Sequence, residues 1–290
     1  MTKVIIDCDN TFGVPSLPID DGQTIMYLLG RPDIEIAGVT TTFGNSSIDV
    51  VYPATVELLK KLGRPDIPVL KGAGAHGGGR SEASDFLVET AAANPGEISL
   101  IAVGTLANLK SAADSDPEFF GNLAGISLMG GYFHSLPYRG WSGVKEVNLS
   151  GDGEAAWRVF RADCPVTLFS AHICFAMPFG LPELEPFADW DIEQYFTMLS
   201  LLLDSSTFLG EAQDYLWDLL PAVNISHPEL FRRRVVRISS TPDEIEKGIL
   251  SISDEGAEVD VPEYITDVEK CCSIIYSAWK DAGFTEGASL

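Results

Sequence analysis

Four aspartates crowd the amino-terminal tip of this chain: Asp7 and Asp9 in VIIDCDN, then Asp20 and Asp21 in IDDG. The β-branched residues Val4, Ile5 and Ile6 read as a buried strand, which places Asp7 and Asp9 at its carboxyl end. A loop with Gly13, Pro15 and Pro18 follows, and Asp20 and Asp21 stand directly ahead of TIMYLL, the first turns of a helix. A strand–loop–helix unit gathers such residues in the crevice outside the strand ends, where open α/β sheets bind ligands. Carboxylates that close repel one another unless a cation sits between them, and a hard divalent ion with oxygen ligands is the simplest answer. Asp20 alone also suits an ordinary helix cap. Asp7 and Asp9 have no helix start to cap.

The elements that must position these groups follow from periodicity. Residues 21–29 read as a helix, 34–41 as a strand ending in Phe43-Gly44-Asn45, and the segment from Asp49 to Gly63 as an amphipathic helix. Residues 67–70 form a third strand, and the Gly-rich 71–80 reads as a mobile loop with His76 its one chemically interesting member. That loop lacks the spacing of a phosphate-binding loop and is weak as a dinucleotide signature. Helix 84–94, strand 98–104, helix LANLKSAA, strand GISLMGG, helix 151–163 and strand PVTLFSAH complete an alternating pattern. The pattern predicts an α/β fold: a mostly parallel sheet with helices on both faces and a Rossmann-like core. Residues 181–224 read as helical, 232–239 as a strand, 250–261 as a hairpin or edge strands, and 264–282 as a terminal helix. Residues 1–290 read as one domain without internal repeats.

Polar groups recur at successive strand ends: Asp7 and Asp9, Asn45, Gly104-Thr105, the Glu146/Asn148 pair (on one face if VKEVN is extended) and His172. Together they describe a polar crevice. Composition narrows what enters it. With 42 acidic against 19 basic residues the net charge is −23, which argues against nucleic acid and anionic membrane and favours a small neutral or cationic ligand. No apolar run is long enough to span a bilayer. The five cysteines are odd in number and contain no CxxC, as in free thiols of a reducing compartment, and the start runs into a strand without a signal peptide. A cytoplasmic location is expected.

The motifs, taken in order, resemble a family. DxD…DD, TTTFGN, VGTLANL, MGG followed by ExN and a Gly-Glu-Ala-Ala helix start, and a late Asp are similar to the calcium-dependent nucleoside hydrolases, the inosine–uridine-preferring class and its purine-specific relatives. The resemblance runs over roughly residues 3 to 280. It implies hydrolysis of the N-glycosidic bond of a small ribonucleoside, with Ca2+ as cofactor and a homo-oligomer, dimer or tetramer. Asp9 matches the residue that binds calcium and takes a proton from the attacking water. Asp21 and Asp218 match carboxylate ligands, and Val103 a backbone-carbonyl ligand. Asp20, Asn45, Glu146 and Asn148 match groups that hold ribose hydroxyls. The tip departs from the family's DxDPGxDD by its expanded loop TFGVPSLPI. Trp217 stands where pyrimidine-tolerant members carry a proton-donating His; a Trp stacks on a purine instead, so purine preference is expected, with His76 a further base-side candidate. Arg139 or Gly140 falls where an Asn for the 5′-hydroxyl is usual, and His172 reads as structural support. Two other classes compete: a non-catalytic nucleoside or ribose sensor that keeps the metal, and a phosphatase of the haloacid dehalogenase type, whose nucleophile motif is also DxD.

Overall fold

A computed structural model describes residues 1–133, 146–180 and 213–282. Its centre is an eight-stranded sheet. Seven strands are parallel: β1 (Thr2–Cys8), β2 (Ile34–Thr41), β3 (Val69–Lys71), β4 (Ile98–Ala102), β5 (Leu123–Met129), β7 (Val166–Phe169) and β12 (Ala257–Ile265). β10 (Phe231–Ile238) runs antiparallel at one edge. The order is β10-β12-β7-β5-β4-β1-β2-β3, so β1 is interior and carries its tip into the middle of the sheet's carboxyl edge. Short pairs β6 (Tyr132–Phe133) with β11 (Ile249–Leu250), and β8 (Pro178–Gly180) with β9 (Gln213–Tyr215), lie outside the sheet.

Alternation along β1 splits the core. Val4, Ile6 and Cys8 point to a layer with Ile25, Met26, Val223, Ile275 and Trp279, whereas Ile5 points to the opposite layer with Leu87, Leu109 and Ala156. The first layer is built from α1 (Asp20–Leu29), α2 (Ile48–Lys61), α7 (Leu219–Ser226) and α9 (Val268–Ala282). The second uses α3 (Glu82–Ala93), α4 (Ala107–Ser115) and α5 (Gly153–Val159). Two single-turn helices, α6 (Ala171–Cys174) and α8 (Pro242–Ile245), complete the described α-helices. Helices therefore cover both faces, as the alternating pattern requires. No helix among the described residues is long and apolar enough to cross a membrane.

Three sequence expectations are corrected. Residues 257–265 are no edge strand: β12 lies between β10 and β7. It resembles an edge because one face is open to solvent there: Glu258 and Asp260 pair on that face with Arg237 and Arg233. The strand also runs on to Ile265, so the terminal helix starts at Val268 rather than Tyr264. Finally, Glu146 and Asn148 do not share an extended face; residues 148–150 form a turn. Of the segment expected to be helical over 181–224, residues 181–212 lie outside the described residues, and the described part is β9 followed by α7.

Candidate active site

β1 ends at Cys8, and Asp9 follows at its tip, fully buried. Asp20 and Asp21 are the first two residues of α1, where exposed amides and the helix dipole favour negative charge. Asp20 is not the cap residue itself, since Ile19 holds that position. Asp218 precedes α7 without using its side chain as a cap. One oxygen from each of Asp20, Asp21 and Asp218 lies within 4.8 Å of the others, and all three residues are buried. Asp9 is joined to this trio through its backbone, whose N–H donates to Asp21 Oδ1 at 3.2 Å.

The electrostatics of the cluster are one-sided. Burial lifts the carboxyl groups of Asp21 and Asp218 well above the usual range, and the neighbouring charges acting on them are negative: Asp9 and Asp20 on Asp21, and Asp20, Asp21 and Asp9 on Asp218. Asp9 is pushed up to about 8, first by burial and then by Asp20, against the hydrogen bond it accepts from Asn45. Asp218 Oδ1 is buried with no hydrogen-bond partner. A bare acceptor among crowded carboxylates is the donor chemistry that a hard divalent cation requires, so the residues fit a metal of that class.

Asn45 reaches the acidic cluster through both its backbone and its side chain. Its backbone N–H donates to Asp9 Oδ2 at 2.5 Å, and its side-chain amide reaches Asp9 Oδ1 at 3.4 Å and Asp21 Oδ2 at 3.1 Å. Asn45 thus clamps two carboxylates. Gly44 permits the approach, because a Cβ there would lie 1.9 Å from Asp9 Oδ2. Glu146 also spends its carboxylate on the protein: it accepts N–H groups from Gly131 (3.2 Å), Leu149 (2.9 Å) and Ser150 (2.6 Å), and so shapes the turn that presents Asn148. Burial raises its pKa against those bonds. Asn148 is buried and donates to the Met129 carbonyl at 3.3 Å, at the end of β5. Val103 follows β4 and is held by its N–H on the Asp7 carbonyl at 2.8 Å.

Trp217 is half-buried and belongs to an aromatic triad. Its ring centroid is 5.2 Å from that of Phe175 and 5.3 Å from that of Tyr215, and Phe175 and Tyr215 are 5.0 Å apart. Because Asp218 is the next residue, this aromatic wall adjoins the acidic trio. The Nε2 of His76 lies 3.1 Å from Glu246 and 3.8 Å from Asp152. The Gly-rich loop around it is tied down by Gly77 N–H to Asp152 (2.8 Å) and Gly79 N–H to Ser111 (2.9 Å). His172 contacts Ser170 Oγ at 2.5 Å and meets Phe133 edge-on. Arg139 and Gly140 lie outside the described residues.

Sequence reasoning missed a buried hub behind the site. Asn108 donates to Asp7 Oδ1 (2.7 Å) and the Thr41 carbonyl (3.0 Å), and accepts from Ala73 N–H (2.8 Å), tying together the ends of β1, β2 and β3. Thr40 also donates to Asp7 Oδ1 at 2.6 Å, yet burial still lifts Asp7 to about 7. The signal was the lone Asn on the otherwise apolar face of VGTLANL.

The family model described as "Inosine-uridine preferring nucleoside hydrolase" matches residues 4–275. The chain belongs to this family. Among curated relatives of this chain, "Probable uridine nucleosidase 2" of Arabidopsis thaliana is 34% identical over 193 residues, 57% of each chain. The chain thus spans less than two thirds of that relative's length. "Probable uridine nucleosidase 2" of Oryza sativa subsp. japonica is 30% identical over 287 residues, 82% of this chain and 78% of that one. A solved structure, "Plant nucleoside hydrolase - PpNRh1 enzyme", superposes with a TM-score of 0.82 over 96% of this chain and 99% of its own, at 23% identity, and so shares the fold. Family membership removes the support for the dehalogenase-type phosphatase.

Proposed function

We propose that this nucleoside hydrolase is an enzyme that cleaves the N-glycosidic bond of ribonucleosides, purines preferentially, to free base and ribose with a water activated at a calcium site. The observation that carries the reading is the buried trio Asp20, Asp21 and Asp218, with Asp9 bonded to its edge. Asp9, Asp21, Asp218 and the Val103 carbonyl would hold the ion, and Asp20, Asn45, Glu146 and Asn148 line the ribose side. When bound, such an ion supplies positive charge that lowers the pKa of a coordinated water. Asp9 takes the proton from the attacking water, whose oxygen bonds to C1′ as the bond to the base nitrogen breaks; the electron pair leaves with the base, which takes a proton from solvent. The sugar becomes oxocarbenium-like on the way, and the surrounding carboxylates stabilise that charge. Asn45 keeps Asp9 and Asp21 oriented through its amide. Trp217 offers its indole face to the leaving base.

A sensor that has lost turnover needs no base, whereas here Asp9 stands beside the trio. A pyrimidine reading has one observation in its favour: the curated relatives from Arabidopsis and rice carry uridine nucleosidase in their names. Trp217 and its aromatic neighbours favour purines. The five free cysteines support a cytoplasmic setting, and family resemblance supports a homo-oligomer. Incubation with inosine, guanosine, uridine, cytidine and p-nitrophenyl phosphate, with chromatography of products, tests the reading. Free hypoxanthine and ribose in excess over uracil are expected. Phosphate release without base release contradicts it.

A further inference from the structure

We propose that Phe12 is a positioning residue for the acidic cluster: packed on Gly22, it locks the expanded tip loop to the first turns of α1, so that Asp9 and Asp21 are held as one unit. The inference rests on the reading of the cluster as a divalent-cation site. Gly22 is the third residue of α1 and follows Asp21 directly. Glycine inside a helix gives up about 1 kcal/mol relative to alanine, and what it gains here is contact. A Cβ on Gly22 would lie 2.4 Å from Cβ, Cγ and Cδ2 of Phe12, so the ring rests on bare helix backbone. Phe12 is 4% exposed and belongs to the same core layer as Ile19, Ile25 and Met26.

The rest of the loop is bonded to match. Phe12 N–H donates to Asn10 Oδ1 at 3.0 Å, and Asn10 Nδ2 donates to Thr55 Oγ1 of α2 at 3.2 Å. Thr11 Oγ1 donates to the Pro18 carbonyl at 2.7 Å and draws the two ends of the loop together. Asn10 and Thr11 are fully buried. The two ends of the insertion are therefore held inward while Gly13, Pro15 and Ser16 face solvent, with Asp9 at one end, Asp21 just past the other, and the Asp9 N–H···Asp21 bond between them. Phe12 touches none of the reacting atoms. It acts through Gly22 and the loop backbone.

The test is calcium calorimetry on the chelator-treated full chain, well below its melting temperature, for wild type, Gly22→Ala, Phe12→Ala and the double variant. Gly22→Ala is expected to weaken calcium tenfold or more, because the new methyl must displace the ring and the loop with it. Adding Phe12→Ala to it is expected to recover at least threefold, since the methyl then takes space the ring has vacated. This non-additivity is what contact predicts. Gly22→Ala within twofold of wild type overturns the inference, as does a double variant no tighter than Gly22→Ala. Should Gly22→Ala fail to fold, Phe12→Leu reads the same coupling: a threefold or greater loss supports it, and wild-type affinity overturns it. A wild-type protein that takes up no calcium overturns the cation reading itself, an outcome distinct from unaltered Gly22→Ala.

Discussion

Asp9→Asn should make the metal-free protein more stable while it destroys turnover. Asp9 carries a carboxyl group raised from 3.8 to about 8, by burial first and by Asp20 next. In the unfolded chain that group ionises near 3.8, so between pH 3.8 and 8 the native state binds the proton more tightly than the unfolded state. Stability from this group is complete below pH 3.8 and falls as the pH rises through 8. At about 1.4 kcal/mol per pH unit over some four units, the loss by pH 8 reaches at most about 6 kcal/mol. Asp9 shares its repulsion with Asp20 and Asp21, which can take up a proton in its place, so about half of that, ~3 kcal/mol, is the working figure. The asparagine oxygen still accepts from Asn45 N–H, which keeps the local geometry. For a chain of this size ~3 kcal/mol corresponds to roughly 6–12 °C in Tm. Thermal melts in chelator at pH 8 and pH 5 give the readout. The variant should melt higher than wild type at pH 8, with the gap closing towards pH 5, and saturating calcium should favour wild type. Turnover of the best nucleoside should drop by roughly two or more orders of magnitude, the worth of a general base. A variant less stable than wild type at pH 8 in chelator, with a pH-independent gap, would refute the reasoning.

Three further outcomes are expected. Trp217→Ala should reduce kcat/KM for inosine far more than for uridine, by one to two orders of magnitude if stacking is worth about 1–3 kcal/mol per base; an unchanged ratio of the two constants assigns base recognition elsewhere. Glu146→Gln should destabilise by about 1–3 kcal/mol in denaturant titration, because an amide cannot accept all three backbone N–H groups as a carboxylate does; unaltered stability would mean the turn does not depend on it. His172 is held at about 4 by burial and then by Arg234, so the unfolded chain takes the proton first. Its share of stability, about 3–4 kcal/mol at most, should be lost as pH falls from 6.5 to 4 and stay flat below; a His172→Phe variant with the same acid profile would contradict this.

The sheet was legible because β-branched runs alternate with amphipathic segments from residue 4 to residue 172. The aspartate tip was legible too, since strand-end and helix-start positions converge in any such unit. β12 was misread because one of its faces is open to solvent at Glu258 and Asp260, as on an edge strand, and its neighbours β10 and β7 are known only once the sheet order is. Glu146 and Asn148 were assigned to an extended face, yet a carboxylate with backbone donors around it makes its own turn. The bridge that the Asn45 amide makes between Asp9 and Asp21 is a further feature the sequence hides. Such bridging has no local sequence signature, because the two carboxylates arrive from different elements. Asn108 lay in a motif already noticed, but its three partners come from β1, β2 and the loop after β3.

The most direct measurement follows inosine hydrolysis by chelator-treated protein as free calcium is restored. Hypoxanthine and ribose should appear in equal amounts, with a rate that rises from near zero to saturation in wild type and that Asp218→Asn restores only at much higher calcium. Full turnover in the presence of chelator, or no turnover of any nucleoside at saturating calcium, would contradict the account.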